Sequence, residues 1–266
     1  MKGRLHVMKL YKTKLIKSGD VIEVYQYEVE RAVGYKSKKT VIPKETEYVD
    51  PETGEIITAE QVKIKNRQKN SIRQKMNLIR LANTNFRGKD VRFLTLTFRE
   101  NLQDIEKANK IFNLFIKHLN YQLKKKGKPT IKYLVVIEFQ KRGAIHYHAL
   151  TKMSYTRVEI IRECWRKASK EFGGNIDIKR VDRVDNVGAY ISKYMSKNNE
   201  DLRLSGKKQY WSSRNLEKPL EVVGDPAEKM IEKLGLKTKK IAYESSWIDE
   251  YTGGKVQYKQ YNLKRQ

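Results

Sequence analysis

Two histidines and a glutamate in the middle of the sequence have the types and spacing that could do chemistry. His146 and His148 alternate with apolar residues, so on a β-strand both imidazoles lie on one face. A three-residue turn at 141–143, with Gly143 free to take a positive φ, would close a hairpin that sets Glu138 opposite His146. Opposed side chains have Cβ atoms about 5 Å apart. This set could hold Mn²⁺, Mg²⁺ or Zn²⁺, and the residue types do not choose among them.

A second group lies in the segment Y-I-S-K-Y-M-S-K, which begins at residue 190. On a helix, its two phenols and two ammonium groups fall within a sector of about 100°. They are Tyr190, Lys193, Tyr194 and Lys197. A phenol has a pKa of about 10, so as a nucleophile it needs a nearby cation or metal, and Lys193 lies one turn from Tyr190. Each group also has a simpler interpretation: a polar sheet face for the histidines, and an amphipathic helix with half-buried tyrosines here.

The hydrophobic pattern predicts the elements that must position these residues. Strands are predicted over 91–98, 131–139, 144–151 and 175–181. The first helix is predicted to be capped by Asn101, the second by a capping box of Thr156 and Glu159, and the third covers 185–197. This β-α-β-β-α-β-α order is typical of a ferredoxin-like (RRM-like) α+β fold. We expect a largely antiparallel sheet with its helices on one face.

Two further segments flank this core. Residues 1–90 are predicted to contain a strand over 20–35, turns at Pro43 and 50–54, and a basic helix from Thr58 to Leu81. Residues 198–266 are basic and aromatic, and the pattern predicts only short strands and loops there. The sequence therefore divides into three parts: a strand-rich and basic helical extension over 1–90, the core over 91–197, and a C-terminal extension over 198–266.

The charge indicates the partner. Lys and Arg number 57 against 31 Asp and Glu, a formal net charge of +26. Such a surplus of positive charge favours a polyanion as the binding partner, and nucleic acid is the polyanion we expect first. Between Gln61 and Arg92 the only acid is Asp90, so this segment is the best candidate for a clamp on a phosphate backbone. The candidate DNA-binding residues are Lys63, Lys65, Arg67, Lys69, Arg73, Lys75, Arg80 and Lys197. A solvated basic face is the alternative.

Several classes of protein are disfavoured by what the sequence lacks. No apolar run approaches the roughly 20 residues needed to span a bilayer, and the first ten residues do not resemble a secretory signal. The single cysteine, Cys164, has no partner for an internal disulfide, which favours a reducing cytoplasm. No G-x-x-x-x-G-K-[ST] loop is present, so we expect no fused helicase.

Three motifs together resemble a known family. FLTLTF at 93–98, EFQKRGAIHYH at 138–148 and YISKYMSK at 190–197 are similar, in this order, to the motif set of HUH endonucleases. The closest resemblance is to rolling-circle replication initiators (Rep proteins) of bacterial plasmids and phages. Conjugative relaxases carry the nucleophilic tyrosine before the histidine pair, whereas here it follows, and two tyrosines four residues apart resemble the phage-type initiators.

The resemblance implies an HUH nicking and joining domain over 91–197. Mn²⁺ or Mg²⁺ at the two histidines and Glu138 would polarise a scissile phosphate, and Tyr190 would attack it to leave a 5′-phosphotyrosine. Lys193 would steady the phosphate or the metal-bound transition state. Tyr194 would act either as a second nucleophile or as a packing residue beside Val187 and Ile191. The implied partners are single-stranded or hairpin origin DNA, a host helicase and a DNA polymerase, in the bacterial cytoplasm. The alternatives are an HUH-type transposase or mobilisation protein, and a non-catalytic module that binds single-stranded nucleic acid.

Overall fold

The computed structural model describes residues 9–34, 47–49, 54, 56–196, 202–204 and 207–265. The strands are β1 (Leu10–Ser18), β2 (Val21–Ala32), β3 (Glu47–Val49), β4 (Ile56–Thr58), β5 (Val91–Thr97), β6 (Lys132–Phe139), β7 (Ile145–Lys152), β8 (Ile176–Arg180), β9 (Tyr210–Ser212), β10 (Leu220–Val223), β11 (Tyr243–Ile248) and β12 (Lys255–Asn262). The α-helices are α1 (Ala59–Asn85), α2 (Ile105–Lys125), α3 (Val158–Ser169), α4 (Val187–Ser196) and α5 (Asp225–Lys233).

Contacts within the chain define two units, one built from residues 1–42 with 218–266 and the other from 43–217. The three-part division of the sequence cuts the chain elsewhere, because strands from its first and last parts pair in one sheet. Helix α1 belongs with the second unit. Pro43, most of the 50–54 turn and Lys197 lie outside the described residues.

The first unit is an antiparallel sheet in the order β10-β1-β2-β12-β11. The strand predicted over 20–35 is confirmed as β2. The expectation of only short strands and loops after residue 198 is wrong, because this part contributes α5 and the eight-residue strand β12. Ala227 and Leu236 pack with Leu15 and Ile22 in the core of this unit.

The second unit is built on an antiparallel sheet in the order β8-β5-β7-β6-β9. Its first four strands lie where the hydrophobic pattern predicts them, with ends that differ by no more than a residue. Their side chains are apolar on both faces, since Phe93 and Leu94 of β5 enter two different cores. A sheet with two apolar faces needs cover on both sides.

Helices cover this sheet on both faces, so the expectation of helices on one face is wrong. Helices α2 and α3 pack on the face that includes Leu94, and α1 and α4 pack on the face that includes Phe93. Leu78 of α1 and Ile191 of α4 are fully buried there. The basic helix therefore does not belong to a separate extension, because it completes the core beneath α4. Among the described residues, no helix is long and apolar enough to cross a membrane.

Two predicted helix caps are wrong for local reasons. Helix α2 begins after Asp104, whose carboxylate accepts hydrogen bonds from the backbone N–H groups of Glu106 (2.9 Å) and Lys107 (3.1 Å), and Asn101 lies upstream. The N-cap of α3 is Arg157, because the Thr156 hydroxyl donates to a neighbouring backbone carbonyl instead of capping the helix. The basic helix, by contrast, starts at its predicted position.

Candidate active site

The hairpin of β6 and β7 has the predicted register. Glu138 is paired with His146, and Val136 is paired with His148. The turn is closed by a hydrogen bond from the Gly143 N–H to the Gln140 carbonyl at 2.8 Å, and Gly143 takes a φ of 86°. Glycine meets this positive φ without the steric cost of a Cβ atom. The turn therefore fixes which carboxylate faces the two imidazoles.

His148 is held from both of its ring nitrogens. Its Nε2 lies 2.5 Å from the Glu138 Oε2, and its Nδ1 lies 3.3 Å from the Thr95 Oγ1. An ionised carboxylate can only accept, so in the neutral imidazole that suits this pair Nε2 carries the proton and Nδ1 accepts from the threonine hydroxyl. The His146 ring lies beside this pair, with its centroid 6.3 Å from that of His148. Three potential ligands thus meet on one sheet face.

The two imidazoles and the carboxylate are donor types that suit a divalent metal. Within the described part of the chain, no three His, Cys, Asp or Glu side chains are already set at ligand distances. The Glu138 Oε2 instead lies 2.5 Å from the His148 Nε2, and a cation would have to replace the hydrogen of this contact. Burial lowers the pKa of His146 below its usual range, although the Glu138 carboxylate opposes the shift. A neutral imidazole is the form that donates its lone pair to a metal.

Helix α4 lies over this face and brings both tyrosines to it. The Tyr194 ring stacks on the His148 ring with a centroid distance of 3.8 Å, and the Tyr190 ring meets Phe93 edge-on at 5.0 Å. The two tyrosine rings lie 6.1 Å apart. Lys193 is exposed on the same helix. The structure therefore joins the two groups that the sequence placed about 50 residues apart.

The environment of Tyr194 disfavours its phenolate. Burial, followed by a hydrogen bond to Tyr190, raises the pKa of Tyr194 to about 12. The carboxylates of Glu138 and Asp177 add to this shift. Tyr194 therefore stays protonated at neutral pH, because its phenolate would be removed from water and would also lie near negative charge. Its ring also packs on the His148 ring.

Strands β5 and β8 add polar residues that sequence reasoning did not single out. Thr95 is paired with His148 on one side and with Asp177 on the other. Lys179 forms an ion pair with Asp177, with Nζ 3.0 Å from Oδ2. The sequence did contain an indication of this site: polar residues stand at alternate positions of otherwise apolar strands. This spacing places them on one face of the sheet.

A buried amide anchors the start of α4. The Asn83 side chain is 4% exposed. Its Nδ2 donates to the Asn186 Oδ1 at 2.9 Å, and its Oδ1 accepts from the Gly188 N–H at 2.8 Å. A Cβ atom at Gly188 would come within 2.4 Å of the Ile79 carbonyl oxygen, so the two helices cross with backbone close to backbone. This crossing sets the position of Tyr190, two residues further on.

The basic residues of α1 differ in exposure. Lys63, Lys65, Lys69 and Arg73 are exposed, while the side chains of Arg67, Lys75 and Arg80 are partly buried. Two apolar positions on the same helix, Ile64 and Ile72, are 50% and 65% exposed. The structure thus leaves a mixed basic and apolar surface at the N-terminal half of α1. Contact of these residues with DNA stays a prediction.

Known proteins resemble the segment that carries this site. Residues 91–199 match the model of the ORF2 family of replication-associated proteins. Over 130 residues the chain is 30% identical to the "Phasyl DNA replicon protein arp" of Escherichia coli, which takes in 41% of this chain and 44% of that relative. The chain therefore spans less than half the length of this curated relative. No solved structure gives a significant match.

Removing the buried amide should loosen α4. Asn83→Ala leaves the Gly188 N–H and the Asn186 side-chain oxygen without this partner, which should lower the free energy of unfolding by about 2 kcal/mol. Asn77→Ala, at an exposed position of the same helix, is the control and should cost far less. Urea denaturation of both variants measures this. Equal losses would mean that the buried link does not hold the helices together.

Metal binding should depend on the face formed by the hairpin. Saturating Mn²⁺, at about 100 times its Kd, should stabilise the wild-type protein by about 2.7 kcal/mol. His146→Ala and Glu138→Gln each remove a donor, so most of this gain should disappear. His118→Ala, on α2 at the opposite face of the sheet, should keep it. Thermal unfolding with and without Mn²⁺ tests this, and a gain that survives in both site variants would place the metal elsewhere.

Proposed function

We propose that the chain initiates rolling-circle DNA replication by nicking one strand at an origin. The observation that carries this proposal is the position of Tyr190 and Tyr194 over the sheet face that bears the histidine pair and Glu138. The match of residues 91–199 to replication-associated proteins and the partial similarity to a DNA replicon protein support the same class. The net charge of +26 suits a nucleic-acid partner.

The fold supports assignment to the ferredoxin-like arrangement of HUH endonucleases. In chain order, β5, β6, β7 and β8 are the first to fourth strands, and in the sheet they lie fourth-first-third-second. A helix connects the first strand to the second, and another connects the third to the fourth. Helix α4 follows, so the tyrosines come after the histidine pair, as in the Rep proteins.

The reaction proposed is a phosphoryl transfer. The Tyr190 oxygen attacks the scissile phosphorus of single-stranded DNA, the Tyr190 O–P bond forms, and the bond from phosphorus to the 3′ oxygen breaks. The 3′ oxygen leaves and takes up a proton to give a free 3′-OH, while the 5′ end stays on the enzyme. One phosphodiester is exchanged for another, so the step needs no ATP. The free 3′-OH can prime synthesis.

His146, His148 and Glu138 would hold a divalent metal, Mn²⁺ or Mg²⁺, at this site. A bound divalent cation would withdraw negative charge from a phosphate oxygen. The stacking of Tyr194 on His148 keeps water from one side of that ring. Lys193 would contact the phosphate from the same helix as Tyr190.

Tyr194 is proposed as a second nucleophile. It lies one turn after Tyr190 and within the same cluster of rings. A second cut, when the origin is regenerated, would transfer the new 5′ end to Tyr194 and free a 3′-OH. That 3′-OH would attack the phosphorus held by Tyr190, so that the first 5′ end is joined to it and the Tyr190 phenol is released with a proton. Its raised pKa means that this step requires stronger activation of the phenol than an ordinary tyrosine would need.

The partners proposed are origin DNA in single-stranded or hairpin form, together with a host helicase and DNA polymerase. The exposed lysines and Arg73 of α1 would contact the phosphate backbone, and so would Lys197. Phosphate contacts position the strand without reading its sequence. Recognition of the origin sequence must therefore come from contacts with the bases or from the shape of the DNA.

The covalent step has a direct test. Tyr190→Phe removes the attacking oxygen and keeps the ring that packs on Phe93, so the fold should survive and the covalent adduct should vanish. Tyr194→Phe should retain the first nick and lose termination, which gives multimeric single-stranded products in a replication assay. Denaturing gels of fluorescent oligonucleotides, which tile the DNA around the gene, detect the adduct. A Tyr190→Phe protein that still forms it would assign the first attack to another residue.

DNA binding should weaken steeply with salt. If about six phosphates are contacted, the plot of log K against log salt for single strands should have a slope near −4. Reversing Lys63 and Lys65 to Glu should flatten the slope by about 0.7 for each phosphate that the variant no longer neutralises. Reversal of Lys124 and Lys126, exposed near the end of α2, changes the net charge equally and is the control. Equal effects of both pairs would restore the interpretation of α1 as a solvated face.

A further inference from the structure

The edge strand β8 places a cation beside Tyr190 from the side opposite the hairpin. Lys179 is paired with Phe93 in the register of β8 and β5, so the two side chains share a sheet face. The Phe93 ring in turn contacts the Tyr190 ring at 5.0 Å. Directly opposed residues have Cβ atoms about 5 Å apart. Lys179 therefore reaches the same space as the phenol of Tyr190.

The electrostatics agree with this placement. Hydrogen bonding and Coulomb attraction from Asp177 raise the pKa of Lys179, and Tyr190 contributes further in the same direction. The ammonium group is thus charged at neutral pH and lies within electrostatic range of the Tyr190 side chain. A positive charge at this point would favour both a phenolate and a phosphate oxygen.

The ion pair of Lys179 with Asp177 can open. Its side chains are 63% and 54% exposed, and exposed pairs contribute between 0 and about 1 kcal/mol. A phosphate that enters the site can therefore replace Asp177 as the partner of the ammonium group at a small cost in free energy. Before DNA binds, the ion pair with Asp177 keeps the Lys179 side chain on this face of the sheet.

We propose that Lys179 is a catalytic residue of the nicking reaction and binds a non-bridging oxygen of the scissile phosphate next to Tyr190. This inference rests on the proposed function and deepens it, since the resemblance assigned such a role only to Lys193. While the Tyr190 O–P bond forms and the bond to the 3′ oxygen breaks, Lys179 donates a hydrogen bond and keeps its proton. It stabilises the charge that gathers on the phosphate oxygens.

The test compares exposed lysines on opposite faces of the sheet. Lys179→Met should slow single-turnover adduct formation about 100-fold, while the Kd for the same oligonucleotide changes less than about tenfold because the other phosphate contacts remain. Lys179→Arg should restore most of the rate. Lys167→Met is the matched control, because Lys167 is also exposed and pairs with a carboxylate, Glu163 at 3.4 Å, but lies on α3 over the other face.

The substrate is the same set of fluorescent oligonucleotides, with Mn²⁺ present. Lys179→Met with the wild-type rate would overturn the inference. A fall in rate at low oligonucleotide concentration that disappears at saturating concentration would also overturn it, since that pattern marks a contact made only for binding. If the wild-type protein forms no adduct with any oligonucleotide, the proposed function itself fails. Because Lys179 is exposed, the melting temperature of each variant should match that of the wild type.

Discussion

The contact between Glu138 and His148 is the interaction on which the site depends. It joins two strands across the hairpin and keeps a largely buried carboxylate paired. An unpaired charge at this depth would cost several kcal/mol, so the pair must form or the face must open. Because Thr95 holds the other ring nitrogen, the imidazole has one orientation, and Tyr194 can stack on it.

The second constraint is that this face must be covered. Apolar residues on both sides of the sheet require helices on both sides, and α1 and α4 supply the cover where the histidines lie. The close crossing at Gly188 and the buried amide of Asn83 fix α4 at its first turn. Helix α1, which carries the basic residues, therefore also holds in place helix α4, which carries the two tyrosines. This contact couples the proposed DNA surface to the proposed chemistry.

The sequence predicts much of this arrangement, because local rules decide it. Strand alternation and a tight turn were enough to place Glu138 opposite His146, and helical periodicity was enough to put Tyr190 and Tyr194 together. The cover on both faces was not predicted, since a short apolar run does not show which partner it packs against. Asp177 and Lys179 were missed for the same reason: their meaning depends on the pairing of β8 with β5, which is a long-range contact.

The most direct measurement is the position of the nucleotide on the protein after cleavage. Trypsin cuts after Lys193, so Tyr190 and Tyr194 fall on different peptides, 184–193 and 194–197. The wild-type protein should be incubated with Mn²⁺ and a cleavable oligonucleotide, then digested with nuclease and trypsin and analysed by mass spectrometry. The account predicts a nucleotide phosphate on the 184–193 peptide after the first turnover. Modification only at another residue, or a cleaved strand with no modified peptide, would contradict it.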